Sequence, residues 1–464
     1  MSASGLYHLP VPVSLKYKRC QIPLFVLLFS ICTLSAQQPQ TSALIITLQD
    51  AIARARQYGA QIQTADIAAR LAHEDQVQAR AASLPSAMGI NQFIYTEGNG
   101  TPSGVFVAND GVHVYNEQLN GHEELLNLVR RGEIRAAAAA EAVARAKADV
   151  AARGLITTVT VDYYTIVNAQ RKIANAQQSL AEAQHFLDIT QKQEKGGEAA
   201  HADVIKAQIQ LQQRQRDLQD AQLAYQKAKT NLAVLIFPTL QTGYNVVDDL
   251  SEIKLLPPLP EASAQAASFN PDIRAAEATV TQTRLSVTVA RYAYLPSFAL
   301  DVWYGIDANQ FAAVSGQTQA TGRSTLPNYP VMNRQNLGYS AAATLDIPLW
   351  NWGSTHSKVK QTELKEEQAK VDLSLAQKQL QADLASAHSE AETALSQVQS
   401  LRESADLAAE SLRLTLLRYE AGEATALEVT DAQSTAAQAR TAYDDGLLRY
   451  RVALANLQNL TGTF

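Results

Sequence analysis

The stretch LPSFALDVWYGI at residues 295–306 puts apolar residues at Phe298, Leu300, Val302, Tyr304 and Ile306 and fills most of the other face with Ser297, Ala299, Asp301 and Gly305. Alternation with a period of two marks a β-strand with one apolar and one polar face. A second run follows, in which Leu337, Tyr339, Leu345 and Ile347 alternate with Ser340, Thr344 and Asp346. Two environments suit such strands: a transmembrane barrel with lipid outside and water inside, or a small soluble sheet lying on a core. Between the two runs, residues 307–336 are rich in Gly, Ser, Thr and Asn and read as an outer loop.

The Leu-Pro that opens this stretch occurs earlier as Leu84-Pro85, and around it Ile62, Ala65, Ala79 and Arg80 recur as Ile273, Ala276, Ala290 and Arg291. Farther along, Gly197-Glu198-Ala199 recurs as Gly422-Glu423-Ala424, Tyr225 as Tyr450, and Asn231-Leu232 as Asn456-Leu457. The chain is therefore an internal duplication. Its organisation reads as a leader over 1–36, a first repeat over 37–237 with weaker strands near 86–96 and 111–118, a Pro-containing linker over 238–260, and a second repeat over 261–464 with strands near 297–306 and 337–347.

Each repeat has a helix of about 35 residues, a β section, a very long helix, a tight break and a last helix. Pro is absent from 103 to 237 and from 349 to the end, so helix can run from about Asn120 to Glu194 and from about Ser354 to Glu420. Each is roughly 70 residues, near 100 Å at 1.5 Å per residue. After each break apolar positions recur every seven residues, at Val204, Leu211, Leu218, Tyr225 and Leu232 and at Val429, Ala436, Tyr443, Tyr450 and Leu457. That spacing supports left-handed supercoiling, either as a two-stranded coiled coil or as a ring of helices in which the many Ala residues pack on two sides.

The first residues read as a secretory signal: Lys16, Lys18 and Arg19 precede an apolar run from Ile22 to Leu34 and small residues ending at Ala36. Its removal takes Cys20 and Cys32 with it, leaving no thiol for redox chemistry or zinc. The net charge of -6 disfavours nucleic acid. No apolar run of 18 residues follows the leader, so a mature chain that spans a membrane must do so as a barrel. Four strands cannot close on themselves, whereas three chains of four would make twelve.

With these features in place the sequence resembles the TolC family of outer-membrane efflux proteins over nearly all of its mature length. The resemblance rests on both Leu-Pro entries, on Leu345-Asp346-Ile347-Pro348-Leu349-Trp350 leading into a helix, and on the run from Tyr419-Glu420-Ala421-Gly422 to Thr461-Gly462. It implies a mainly α homotrimer with a 12-stranded β-barrel in the bacterial outer membrane, continued by a 12-helix barrel as a periplasmic tunnel. It also implies a passive exit duct for small molecules or proteins in tripartite efflux or type I secretion, partnered by a periplasmic adaptor and an inner-membrane transporter. Gly196, Gly197, Glu198, Gly422 and Glu423 then form the hairpin tip that docks the adaptor. Glu428 and Asp431, at i and i+3, become two stacked acidic rings at the tunnel's narrow end, and Tyr419 and Asp203 a bridge between hairpins. Ala424 stands where the family pattern has an Arg, so closure must differ in detail.

No pattern of enzymatic chemistry is present: there is no H-E-x-x-H, G-x-S-x-G or G-K-[ST], and Gly98-Asn99-Gly100 leads into turn residues rather than a phosphate-binding helix. His73, His185 and His388 read as surface residues, and His122 beside Glu123 and Glu124 lacks a second His at ligand spacing. No cofactor is expected. The competing reading is a secreted or periplasmic coiled-coil scaffold carrying a small β domain.

Overall fold

The computed structural model describes residues 44–95, 113–307 and 337–463. The leader with both Cys, the Gly98-Asn99-Gly100 turn and nearly all of the 307–336 loop lie outside the described residues. The elements run β1 (Leu44–Ile46), α1 (Leu48–Tyr58), α2 (Ala60–Ala81), β2 (Ser86–Tyr95), β3 (His113–Leu126), α3 (Leu128–Gly196) and α4 (His201–Ile236). The second repeat follows as β4 (Tyr244–Val246), α5 (Leu259–Phe269), α6 (Pro271–Tyr292), β5 (Ser297–Asp307), β6 (Leu337–Asp346), α7 (Ser354–Glu420) and α8 (Ala426–Thr461).

Two expectations need correction. The first long helix starts at Leu128, not near residue 120, because β3 continues to Leu126 through a register shift between Glu123 and Leu126. A bulge of this kind at a sheet's rim breaks the alternation that would have marked the strand in sequence. The helix of about 35 residues is two helices in each repeat, broken at Gly59 and at Asn270. At Gly59 a Cβ would stand 2.3 Å from Leu155 Cδ2, so α1 reaches α3 closely only because the residue has none. At Asn270 the side-chain oxygen accepts from the amides of Asp272 and Ile273, and Pro271 starts the helix where its missing N–H costs nothing.

The sheet order is β2-β3-β5-β6, antiparallel throughout. Each strand joins a helix, and the helices pack in the matching order, α2 on α3, α3 on α6, and α6 on α7. Nearer the tip α4 pairs with α3, and α8 lies against both α3 and α7. Gly132 makes the α3–α6 approach possible, since a Cβ there would sit 2.9 Å from Val289 Cγ2.

Four apolar clusters among the described residues hold these helices together, one of them joining α7 to α8 through Ala408, Leu412 and Ala436. The largest lies midway, where Leu155, Tyr163 and Tyr164 of α3 meet Leu232 and Ile236 of α4 and Leu447 and Tyr450 of α8. The parallel pair β1–β4 packs into it through Ile46 and Tyr244. Tyr163 fastens the pair, its hydroxyl accepting from Val247 N at 3.1 Å and donating to Val247 O at 2.9 Å. Burial and nearby Asp249 push that phenol up to about 12, so it remains a donor at any physiological pH. The second cluster is at the tip and the third joins α5 to α7 and α8 through Ala262, Leu384 and Leu457. Of the seven-residue positions, Val204, Leu232, Val429, Ala436, Tyr450 and Leu457 are buried and Leu211, Leu218, Tyr225 and Tyr443 half-buried, consistent with supercoiled packing.

Candidate channel wall and hairpin tip

The strand register sorts the sheet into two faces. Phe298, Leu300, Val302 and Tyr304 lie opposite Leu345, Ala343, Ala341 and Tyr339, and on the other side Tyr304 and Val302 lie opposite Leu119 and Gly121. This apolar face is open: Tyr304 is 54% and Tyr339 79% exposed. The opposite face holds Asp301, Ser340, Thr344 and His122, and His122 Nδ1 lies 2.6 Å from Asp301 Oδ1 across the junction of the two repeats. His122 is therefore paired with a carboxylate of the other repeat, not with the adjacent Glu123 and Glu124 of its own strand. The first repeat is less strict, since Met88 and Ile90 share the polar face while Asn91 and Glu117 stand on the apolar one. This is why its strands were weaker in sequence.

At the rim, between β6 and α7, Leu349, Trp350 and Trp352 are 87%, 77% and 89% exposed, and the two indoles meet edge to face with centroids 5.8 Å apart. Trp352 takes φ 54°, an uncommon conformation for a bulky residue.

At the opposite end both reversals close in the same way. Gly197 at φ 81° receives the chain from α3, with Glu198 N donating to Gln193 O at 2.8 Å. Gly422 at φ 77° follows α7, with Glu423 N donating to Arg418 O at 2.8 Å. A left-handed residue is needed in each, which Gly supplies without a Cβ penalty.

The residues expected at the gate lie at this same end. Tyr419 is buried against Phe186, with ring centroids 5.2 Å apart, and its hydroxyl donates to Thr190 Oγ1 at 3.2 Å. Asp203 pairs with Lys206 at 3.2 Å, so within the chain the two do not form the anticipated bridge. Tyr419 still ties the hairpins, but through α3 rather than α4. Glu428 is the third residue of α8 and completes a capping box: its carboxylate accepts from Thr425 N at 3.2 Å while Thr425 Oγ1 accepts from Glu428 N at 3.3 Å. Its other oxygen faces Arg418 Nη1 at 3.7 Å. Asp431 is exposed and makes no hydrogen bond or ion pair among the described residues. The Thr-x-x-Glu signature was legible in the sequence; Thr190, Arg418 and Phe186 carried no such mark, because their roles come from packing between helices.

His388 is not a surface residue: it sits against the linker, with Nε2 3.1 Å from Pro257 O. His73 pairs with Glu141 at 3.1 Å. Among the described residues no group of three His, Cys, Asp or Glu could hold a metal ion, and no helix is long and apolar enough to cross a membrane.

At the tip, the two helix starts that follow the turns are capped differently. The first residue position of α4 is preceded by Ala200, which has no side-chain cap, where α8 has Thr425. Thr425→Ala should cost the α8 start about 1 kcal/mol. Hydrogen exchange at amides 426–429 is expected to quicken about fivefold, with α4 unchanged. Equal protection in the variant would mean that neighbouring helices, not the cap, hold this end.

The four-stranded sheet is apolar on one side and polar on the other, and two of its strands, β3 and β6, lead into helices some 100 Å long, α3 and α7. Residues 262–463 match the outer membrane efflux protein family model. The fold is that of solved outer-membrane channels: the Campylobacter jejuni CmeC channel aligns with TM-score 0.73 at 18% identity over 89% of this chain and 85% of that one. The Neisseria gonorrhoeae MtrE channel in its open state aligns with 0.70 at 21% over 89% and 88%, and a Pseudomonas aeruginosa membrane protein with 0.75 at 19% over 89% and 93%. No curated protein matches the sequence. The second repeat therefore matches the outer membrane efflux protein family model, and the chain as a whole shares its fold with solved outer-membrane channels.

Proposed function

We propose that this chain is one of three protomers of a passive exit duct, its strands in the bacterial outer membrane and its helices forming a tunnel in the periplasm. The observation that carries this reading is the open sheet: β2 and β6 each have an outer edge without a partner among the described residues. Unpaired strand edges are not tolerated in lipid, so subunits must pool strands, and three chains of four close a twelve-stranded barrel. Strands of 10 or 11 residues tilted at about 45° cross the apolar band of a bilayer. The exposed Trp350 and Trp352 sit at the strand-to-helix rim, where indoles favour a membrane–water interface.

The cargo, small molecules or proteins, crosses without a chemical step, and energy comes from an inner-membrane transporter joined through a periplasmic adaptor at the Gly197 and Gly422 turns. Recovery of the protein only in detergent, as a trimer resistant to mild denaturant, is the expected result of membrane extraction. A dimer in the soluble periplasmic fraction would instead fit the scaffold.

At the tip, Asp431 is the carboxylate free to act on ions, because Glu428 is held by Thr425 and Arg418. Three copies in a constriction would focus a negative potential. Asp431→Asn is expected to reduce cation-over-anion selectivity more than Glu428→Gln does, in reversal-potential measurements across a salt gradient. The reverse order would return the selectivity to Glu428.

A further inference from the structure

Midway along the molecule, on the side where α1 lies over α3 and α8, a cavity of about 260 Å³ has a cationic lining. Arg451 is 3% exposed and lines it. One of its terminal nitrogens, Nη2, donates to Asp249 O and Glu252 O, both at 2.6 Å, and the guanidinium stacks 4.9 Å from the Tyr164 ring. Of its other nitrogens, Nη1 makes no hydrogen bond among the described residues, while Nε is unpaired but shut off from the cavity. Arg56 and Lys254, both exposed, line the same cavity and form no ion pair among the described residues. No carboxylate of the described residues lines it, and Asp249, whose backbone oxygen Arg451 holds, turns one carboxylate oxygen to the Tyr164 hydroxyl at 3.2 Å and forms no ion pair with Arg451.

A buried guanidinium with an unused terminal donor and no counter-ion among the described residues costs free energy that a bound anion would recover. The rest of the lining limits which anion. Leu48, Ile52 and Leu454 give apolar walls, and Gln458 and Thr160 add neutral hydrogen-bonding groups. We propose that this cavity is a binding site for a carboxylate carried on a small, partly apolar molecule such as an acylated amino acid or a peptide end. Arg451 would hold the carboxylate at the floor, Arg56 and Lys254 would draw it in from the rim, and the apolar arm would lie against Ile52 and Leu454. A fully hydrated anion would gain nothing from those walls.

The test is calorimetric titration of the detergent-purified full chain with N-acetylalanine, its uncharged methyl ester and inorganic phosphate. Arg56→Ala/Lys254→Ala is the variant of choice, since both side chains are exposed and tie no element together. N-acetylalanine should bind, the ester should not, and the double variant should bind at least tenfold more weakly while melting as the parent does. Failure of N-acetylalanine to bind, equal binding of the ester, or an unchanged affinity in the variant would each overturn the proposal. Phosphate binding as tightly as N-acetylalanine would overturn the assignment to an organic carboxylate.

Discussion

Gly305→Ala is expected to prevent the barrel from assembling. Gly305 lies within β5 at φ 152°, and a Cβ there would stand 2.1 Å from Glu117 O and 2.7 Å from Gln118 Cα on the neighbouring strand. Both contacts are backbone, so no side chain can swing aside to relieve them. The strand would have to move away from β3, breaking the pairing that joins the two repeats within the four-stranded sheet. Backbone strain alone costs about 1 to 3 kcal/mol, and the clash adds more. The variant should therefore yield little heat-resistant trimer in outer-membrane fractions, whereas Gly89→Ala on β2, where a Cβ meets nothing within 4 Å, should assemble normally. Equal trimer yields from the two would show that β3 and β5 are not paired as described.

The second large effect concerns the linker. Arg451 reaches from α8 to hold Asp249 O and Glu252 O, and the Tyr450 hydroxyl next to it holds Lys254 O. Through these contacts the segment between the repeats is lashed to the central core. Arg451→Met keeps an unbranched stem but leaves both carbonyls without their charged donor and removes the stacking on Tyr164. A hydrogen bond to a charged group contributes roughly 1.5 to 3 kcal/mol, so the linked segment should loosen by about 3 kcal/mol or more. If opening and closing are fast, tryptic cleavage after Lys254 should speed up about 100-fold. An unaltered cleavage rate would mean that the apolar core alone holds the linker in place.

Much of this architecture was legible in the sequence. The duplication announced itself through Leu84-Pro85 and Leu295-Pro296, and α7 spans Ser354–Glu420 because nothing in that stretch interrupts a helix. The second repeat's strands were plain because every exposed apolar residue on them falls on one face. The β1–β4 pair escaped notice, being three residues on three with some 200 residues between them, too short to leave a period. The break at Gly59 was also hidden, since a lone Gly in a helical pattern signals nothing until Leu155 is seen against it.

The tip residues were found by position rather than by partner. Tyr419 and Asp203 do lie at the hairpin ends, but which helix a tyrosine reaches depends on the rotation of α7 against α3, and no spacing encodes that. Glu428 could have been placed from Thr425 three residues before it. Its use as a cap separates it from Asp431, with which the spacing alone had joined it.

The central claim is that the chain closes, with its copies, into a water-filled pore. Planar-bilayer conductance of the detergent-purified oligomer addresses this most directly. A discrete channel, cation-selective and losing that selectivity in Asp431→Asn, is the predicted result. A well-folded oligomer that carries no current under any applied potential would contradict it.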